Sequence, residues 1–279
     1  MRHRIRVGTA LLALALPAVG SSQANSASPA PVLLVGRELV KPGKNIAHTK
    51  WETSWSRALE AAKYPQTLVA LTSMSGTPET WFVFPYASLA DLEKANATFD
   101  GNASLTGIDQ KYAPAESEYL QGMRTMLLSY RPELSYSTGT PVSAMRFVTV
   151  TRILVRAGHM PEFIEARTAI KAAHEKAKLP DGYAIYQATS GMPAGTYFLL
   201  AGRKSLKELD DNTKIHEGAA YQAALGADWA KRNAALQQAY EASSDVNLYA
   251  MNAGMSIVPK EWKDSDPFWA PKAEAKKAP

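Results

Sequence analysis

Two stretches of the chain share one pattern of apolar and polar positions. Residues 35–43 read V-G-R-E-L-V-K-P-G, and residues 150–158 read V-T-R-I-L-V-R-A-G. Each is an apolar, strand-like run that contains an arginine and ends in a glycine, which is a common turn residue. In both places a run of apolar residues at helical spacing follows. The pattern indicates that the chain contains an internal duplication.

The first copy predicts a strand, a helix, a hairpin and further short elements. Asn45 is a good N-cap residue, and apolar residues recur every three or four positions from there to Ala62. Ser88 stands three residues before Asp91, which is the spacing of a capping box. The predicted elements are a strand at 32–40, a helix at 45–63, strands at 68–74 and 81–84, a short helix from 88, a helix at 115–130 and a short strand at 133–137.

The second copy repeats this order with its turn residues in register. The loop S-G-T-P at 75–78 returns as S-G-M-P at 190–193, and Pro180 lies in the register of Pro65. Agreement at loop glycines and prolines strengthens the case for duplication, because these residues serve backbone conformation. The predicted elements are a strand at 147–155, a helix at 161–178, strands at 183–188 and 196–200, a short helix at 205–209, a helix at 227–242 and a strand at 246–251.

The order of elements predicts an α+β fold. Each copy has the β-α-β-β-α order of a ferredoxin-like unit, with an extra helix and a closing strand. A tail follows the second copy, and its Trp262, Phe268 and Trp269 are expected to pack back on the body. The predicted segments are a signal peptide at 1–24, ferredoxin-like repeat 1 at 32–136, a linker at 137–146, ferredoxin-like repeat 2 at 147–251 and a C-terminal tail at 252–279.

The first residues resemble a secretory signal. Arg2, Arg4 and Arg6 precede a short apolar run at 7–19, and Ser-Gln-Ala at 22–24 offers a cleavage site. The run is short for a spanning helix, so we expect export without stable membrane insertion after cleavage. An uncleaved membrane anchor is the alternative.

The amino-acid composition limits the possible cellular compartments and binding partners. The chain has no cysteine, which excludes disulfides, thiolate metal sites and a cysteine nucleophile. Export without disulfides favours a bacterial periplasm or exterior. The formal net charge is +5, and three of the positive charges lie in the predicted signal. Because no long Lys/Arg run remains, we expect no nucleic-acid partner.

Two short motifs resemble a known superfamily. Residues 37–44, which end in V-K-P-G-K before a Trp-containing helix, and the S-L-x-(D/E)-L of the short helix at 88–92 and 205–209 resemble NIPSNAP-like and antibiotic-biosynthesis-monooxygenase-like members of the dimeric α+β barrel superfamily. The resemblance implies that two ferredoxin-like sheets pair into a barrel with helices outside and a pocket inside. A tandem chain would form this barrel alone, as a monomeric pseudo-dimer, or assemble further as a homo-oligomer.

The resemblance leaves the activity open. The superfamily includes cofactor-free oxygenases, haem-degrading and haem-containing proteins, isomerases and members of unknown role, and fold is a poor guide among them. Repeat 2 has Arg156-Ala157 where repeat 1 has Lys41-Pro42. His216 lies near the position of a functional histidine in some members, and repeat 1 lacks a counterpart. Any site is therefore expected in one half only, with haem as the cofactor that the resemblance allows.

The two arginines of the repeated motif are the leading candidates for ligand binding. Alternate residues of a strand share a face, so Arg37 lies with Val35 and Leu39, and Arg152 lies with its own apolar neighbours. A buried arginine needs an acceptor. Either the two guanidinium groups point into the barrel and bind an anionic ligand, or each forms a salt bridge with a helix carboxylate.

Histidines and tyrosines provide further candidates. His48 is expected at a helix–sheet interface, and His216 is either a haem ligand or general base, or a helix-capping residue. Tyr183 and Tyr186 either line a polar pocket or pack in the core. No histidine pair has H-x-x-x-H or H-x-H spacing, and His159 with Glu162 is a common chance pair, so no metal site is predicted.

Three functional hypotheses follow. The protein binds a small anionic or aromatic molecule inside the barrel, or it is a cofactor-free oxygenase or haem-linked enzyme, or it is a structural or partner-binding module. The sequence contains no nucleophile elbow, Walker loop or G-x-G-x-x-G motif. Whether the protein is an enzyme stays undecided at this level.

Overall fold

A computed structural model describes residues 28–137, 140–240 and 245–270. The predicted signal peptide at 1–24 and the end of the predicted tail at 271–279 lie outside the described residues. No helix in the described ranges is long and apolar enough to cross a membrane.

Eight antiparallel strands form a closed barrel in the order β1-β3-β2-β8-β5-β7-β6-β4. The strands are β1 (Val32–Val40), β2 (Val69–Ser73), β3 (Glu79–Tyr86), β4 (Leu120–Tyr130), β5 (Phe147–Leu154), β6 (Ala184–Ser190), β7 (Thr196–Arg203) and β8 (Asp245–Met251). Closure leaves no strand edge unpaired in the barrel, so every strand has two neighbours.

Helices cover the outside of the barrel. They are α1 (Asn45–Ala61), α2 (Leu89–Asp100), α3 (Ala103–Tyr112), α4 (Glu116–Tyr119), α5 (Met160–Ala177), α6 (Lys207–Glu217), α7 (Ala219–Leu225), α8 (Trp229–Ala239) and α9 (Lys260–Ser265). The two long helices pack on opposite sides: Trp55 of α1 meets Phe82 edge-on, and Phe163 of α5 contacts Tyr197 at a ring distance of 4.7 Å.

The two halves of the barrel have the same strand order. Strands β4-β1-β3-β2 form one half, and β8-β5-β7-β6 form the other, with β4 equivalent to β8. The seams between them are β2 with β8 and β4 with β6. This arrangement confirms the α+β barrel and is consistent with tandem ferredoxin-like repeats. The boundaries proposed for the repeats and linker stay predictions.

The strand β1 coincides with its prediction at 32–40, and the hairpins and long helices lie where the pattern placed them. The N-cap prediction for Asn45 is wrong, because Asn45 is the first helical residue and Lys44 occupies the cap position without a side-chain bond. Ser88 does cap α2, accepting from the Asp91 amide at 3.1 Å.

The helix predicted at 115–130 is wrong. Residues Leu120–Tyr130 form β4, which pairs with β1 along its length and with β6 at its end. The segment contains Leu, Gln, Met and Arg, which favour helices intrinsically. Tertiary pairing on both sides outweighs that preference. The short strand predicted at 133–137 is also wrong: it is a 3₁₀ turn, Pro132–Leu134, followed by a single bridge from Tyr136 to Tyr183.

The start of the tail packs on the body, as its aromatic residues predicted. Trp262 and Trp269 are buried, and their rings lie 5.2 Å apart. The indole nitrogen of Trp269 donates to the Ser143 carbonyl at 2.7 Å. Arg146 forms an ion pair with Asp266 nearby. Residues 252–270 therefore belong to the folded unit.

Candidate functional site

An apolar cavity of about 540 Å³ extends from the inside of the barrel to residues around its rim. Its walls are inward-facing side chains of several strands, joined by a tryptophan of the tail. The main apolar lining residues are Leu33, Val69, Leu71, Val83, Val148, Leu200, Met251 and Trp262. One side of the cavity is polar, where Asp181, Arg203 and Asp211 contribute to the lining. The volume lies within the range of small-molecule sites.

An aromatic layer crosses the barrel between this cavity and a second one. Trp81 meets Phe198 edge-on with ring centroids 5.6 Å apart, and it lies 5.4 Å from the ring of Tyr249. All three side chains are buried. The layer divides the interior into an apolar chamber and a charged chamber.

The charged chamber has a volume of about 200 Å³ and contains three arginines. Arg37 Nη2 lies 2.7 Å from Glu79 Oε2, and Arg152 Nη2 lies 2.6 Å from Asp245 Oδ2. Arg124, which pairs with Arg37 in register, is the third. Both arginines of the repeated motif thus point into the barrel. Their carboxylate partners come from neighbouring strands and not from helices.

Glu79 organises the inner side of this chamber. It is buried and accepts bonds from Arg37, from the Trp81 indole at 3.0 Å and from the Tyr249 hydroxyl. Burial and the adjacent Glu79 carboxylate raise the pKa of Tyr249. The guanidinium of Arg37 also lies 5.0 Å from the Trp81 ring centre, within cation–π range. The arrangement fixes Arg37 in one position.

His48 lies outside the barrel, between β1 and α1, as its position in the helix predicted. Its Nε2 is 2.9 Å from Glu38 Oε2, and Glu52 lies in the same buried group. Glu38 follows Arg37 in β1 and faces the opposite side of the sheet. His48 therefore does not reach either chamber.

Tyr183 and Tyr186 point to opposite faces of the sheet. Tyr186 faces the interior and donates its hydroxyl proton to the Ala30 carbonyl at 3.0 Å, and burial raises its pKa. Tyr183 packs outside the barrel, where its ring lies 5.2 Å from that of His174. Both residues border the apolar cavity.

His216 is at the end of α6, on the outside of the barrel. Its Nε2 lies 2.9 Å from Asp181 Oδ2, and its ring stacks on Tyr221 with centroids 5.0 Å apart. Burial opposes ionisation of Asp181, but the hydrogen bond and charge of His216 outweigh it and lower the pKa of that carboxyl. Burial lowers the pKa of the adjacent His174.

Sequence reasoning missed Glu79, Asp181 and His174. Each gains its place through a contact with a residue distant in the chain. Glu79 contacts Tyr249, Asp181 contacts His216, and the ring of His174 lies 5.3 Å from that of His216. No local spacing connects these residues. The only signal was the alternation of β3, which places Glu79 on the same face as Trp81.

The comparisons with known proteins support the fold. No protein-family model and no curated protein matches the sequence. An anthrone oxidase-like protein is similar at a TM-score of 0.53 and 13% identity, covering 81% of this chain and 93% of its own. A provisionally assigned monooxygenase of Fusobacterium nucleatum subsp. nucleatum gives 0.51 and 12%, covering 80% and 93%. These likenesses agree with the dimeric α+β barrel expected from the sequence.

Haem is the cofactor that the resemblance allowed, with His216 as the candidate ligand. His216 lies outside the barrel, and its Nε2 is engaged by Asp181. Among the described residues, no histidine lines the apolar cavity. The side chains present in the cavity therefore do not fit a histidine-ligated haem.

Proposed function

We propose that this protein binds an apolar, ring-containing small molecule inside the barrel. The observation that carries the proposal is the 540 Å³ chamber, which is walled mainly by aliphatic and aromatic side chains, Trp262 among them. Ligand pockets commonly combine such walls with a few placed polar groups.

The polar side of the chamber would orient the ligand. Arg203 is buried there, and its Nη1 donates to the Gly202 carbonyl at 2.9 Å. Lys204, Asp211 and Asn212 lie on the same side. A ligand with one polar or anionic substituent would place it here and leave its apolar body among the strands.

The Arg37–Arg152 chamber is a less favourable site for the body of such a ligand. It is smaller, and a carboxylate already accompanies each arginine. We propose that this chamber binds at most a small anion, whose charge would be neutralised by Arg124. Arg37→Met and Arg152→Met would then leave binding in the apolar chamber unchanged.

A cavity-filling variant tests the main proposal. Anthrone, an apolar three-ring compound, serves as the probe, and quenching of tryptophan fluorescence reports its binding. Leu200 lines the chamber, so Leu200→Trp is expected to weaken binding by about tenfold or more, since overpacking removes the space. Leu206→Trp is the matched control, because Leu206 is exposed on the surface. Equal affinity in both variants would contradict the proposal.

A second candidate function is cofactor-free oxygenation of an aromatic substrate. It is favoured by the fold shared with an anthrone oxidase-like protein and by the mainly apolar lining of the chamber. Oxygen uptake in the presence of anthrone, measured with wild type and Leu200→Trp, separates catalysis from binding. If anthrone binds but no oxygen is consumed, the oxygenase function is wrong and only the binding function remains.

We also propose that the chain is an exported, NIPSNAP-like tandem fusion. The basic start, the short apolar run and the small residues at 22–24 support export, and the equal strand order of the two halves supports fusion. N-terminal sequencing of the protein from its source should begin at Asn25. A start at Met1 would contradict cleavage.

A further inference from the structure

Three ligand-type side chains of the second half meet beside the mouth of the apolar chamber. His174 comes from α5, Asp181 from the loop before β6, and His216 from the end of α6. One ligand atom of each lies within 4.8 Å of the others. Asp181 Oδ2 and His216 Nε2 are already 2.9 Å apart. The group is built from three separate elements, so no sequence spacing announces it.

Two polar atoms, one in this group and one beside it, have no hydrogen-bond partner within the described part of the chain. Asp181 is 9% exposed, and its Oδ1 is buried without a hydrogen bond. The hydroxyl of Tyr183, which packs against His174, is buried without one as well. Buried polar atoms are nearly always satisfied, and an ion or its water is a common reason for an apparent exception.

His174 is held in the orientation that metal ligands adopt. Its Nδ1 donates to the Ile170 carbonyl at 2.8 Å, one helical turn back. This bond fixes the ring and leaves Nε2 as the free nitrogen. The rings of Tyr183 and Tyr221 pack around it at 5.2 and 5.0 Å.

We propose that His174, Asp181 and His216 bind one divalent transition-metal ion. Two imidazoles and one carboxylate are the donor set of Zn²⁺, Fe²⁺ and Co²⁺ sites. Bonds of about 2.1 Å place tetrahedral donor atoms about 3.4 Å apart, so donors that already lie within 4.8 Å of one another need only small side-chain adjustments to complete the site. The side chain of His216 is 40% exposed and has room to move. The fourth position stays open to water.

The surrounding charges set a limit on affinity. Arg167 acts electrostatically on His174, and Arg203 acts on Asp181, so two cations oppose the bound ion. We therefore expect binding that is weaker than that of a closed structural zinc site. Asp181 also lines the apolar chamber, which places the ion at its rim.

Co²⁺ provides the direct test, because its visible absorption reports coordination. The protein is first dialysed against a chelator and then titrated with Co²⁺ and, separately, with Zn²⁺ followed by metal analysis. Wild type is expected to bind one equivalent. Asp181→Asn and His216→Gln keep the shape of the group and are expected to lower affinity by about tenfold or more.

Two variants control for other histidines. His159→Gln changes a half-exposed histidine of the same half, and His48→Gln changes the buried group with Glu38 and Glu52. Both are expected to retain the wild-type stoichiometry and spectrum. Binding that is lost in His48→Gln and kept in Asp181→Asn would overturn the proposal, as would wild-type protein that binds no Co²⁺ or Zn²⁺. Circular dichroism of each variant verifies its fold.

Discussion

Arg37 and Arg152 occupy equivalent places in the two halves, but their carboxylate partners differ in exposure. The side chain of Glu79 is 4% exposed, and that of Asp245 is 53% exposed. An ion pair gains little near water, whereas removing one partner of a buried pair leaves a costly charge. Arg37 therefore contributes more to the stability of the first half than the equivalent Arg152 contributes to that of the second.

This difference predicts unequal effects of two matched substitutions. Glu79→Gln should lower the free energy of unfolding by about 3 kcal/mol, because Arg37 loses its counter-charge inside the barrel. Asp245→Asn should cost about 1 kcal/mol or less. Urea unfolding of both variants and the wild type measures the two values. Equal losses would show that the chamber is solvated alike on both sides.

His174 predicts a loss of stability below neutral pH. Burial lowers its pKa below the usual 6.5, although the Ile170 carbonyl and Asp181 act in the opposite direction. The unfolded chain therefore takes up this proton at a higher pH than the folded chain does. The contribution is fully present above about pH 6.5 and is lost as the pH falls through the folded-state value.

Unfolding free energies from about pH 8 to about pH 5 check this prediction. The wild type should lose stability more steeply than His174→Gln, which cannot titrate there. The pKa of Asp181 is below its usual value of 3.8, so it does not titrate in this range. Parallel curves for wild type and His174→Gln would refute the assignment.

At the scale of elements, the local pattern predicted those parts of the fold that local interactions control. The strand β1, the turn glycines Gly43 and Gly158 and the S-G-x-P loops follow from alternation and from positive φ angles. β4 was not predictable in this way, since its residues favour a helix and its strand state depends on β1 and β6.

The equivalent loop glycines make a matched pair. Gly76 and Gly191 both have positive φ, so a side chain strains either one by about 1–2 kcal/mol. A Cβ on Gly191 would lie 2.1 Å from the Thr125 carbonyl of β4, whereas on Gly76 it would meet only the side chain of Asn247. Gly191→Ala should therefore destabilise the protein more than Gly76→Ala. The midpoints of thermal unfolding compare them, and equal midpoints would count against this packing.

At the scale of the molecule, the tail completes the apolar chamber. Trp262 is buried in the barrel core and lines the chamber, while Phe268 packs on Arg146 outside it. Trp262→Ala should cost about 3–5 kcal/mol and enlarge the chamber. Binding of larger polycyclic probes should then improve relative to anthrone. Phe268→Ala should lower stability less and leave the preference for probe size unchanged. The same change of size preference in both variants would show that Trp262 does not set the size of the chamber.

The candidate sites were less predictable than the barrel. The inward direction of Arg37 and Arg152 follows from strand alternation. Glu79 and Asp181, by contrast, acquire their hydrogen-bond partners only when distant elements meet. The cavity depends on the joint volume of side chains from most strands and the tail. No single segment of the sequence therefore indicates that a cavity is present.

The seams of the barrel have a kinetic consequence. Leu71 of β2 pairs with Met251 of β8, so the ring closes only after nearly all of the chain is available. Contacts this distant in sequence raise contact order and slow folding, because the entropy of a long loop is lost before the contact forms. Until then β2 and β4 present bare edges that invite aggregation. We therefore expect slow refolding, with a yield that falls as the protein concentration rises.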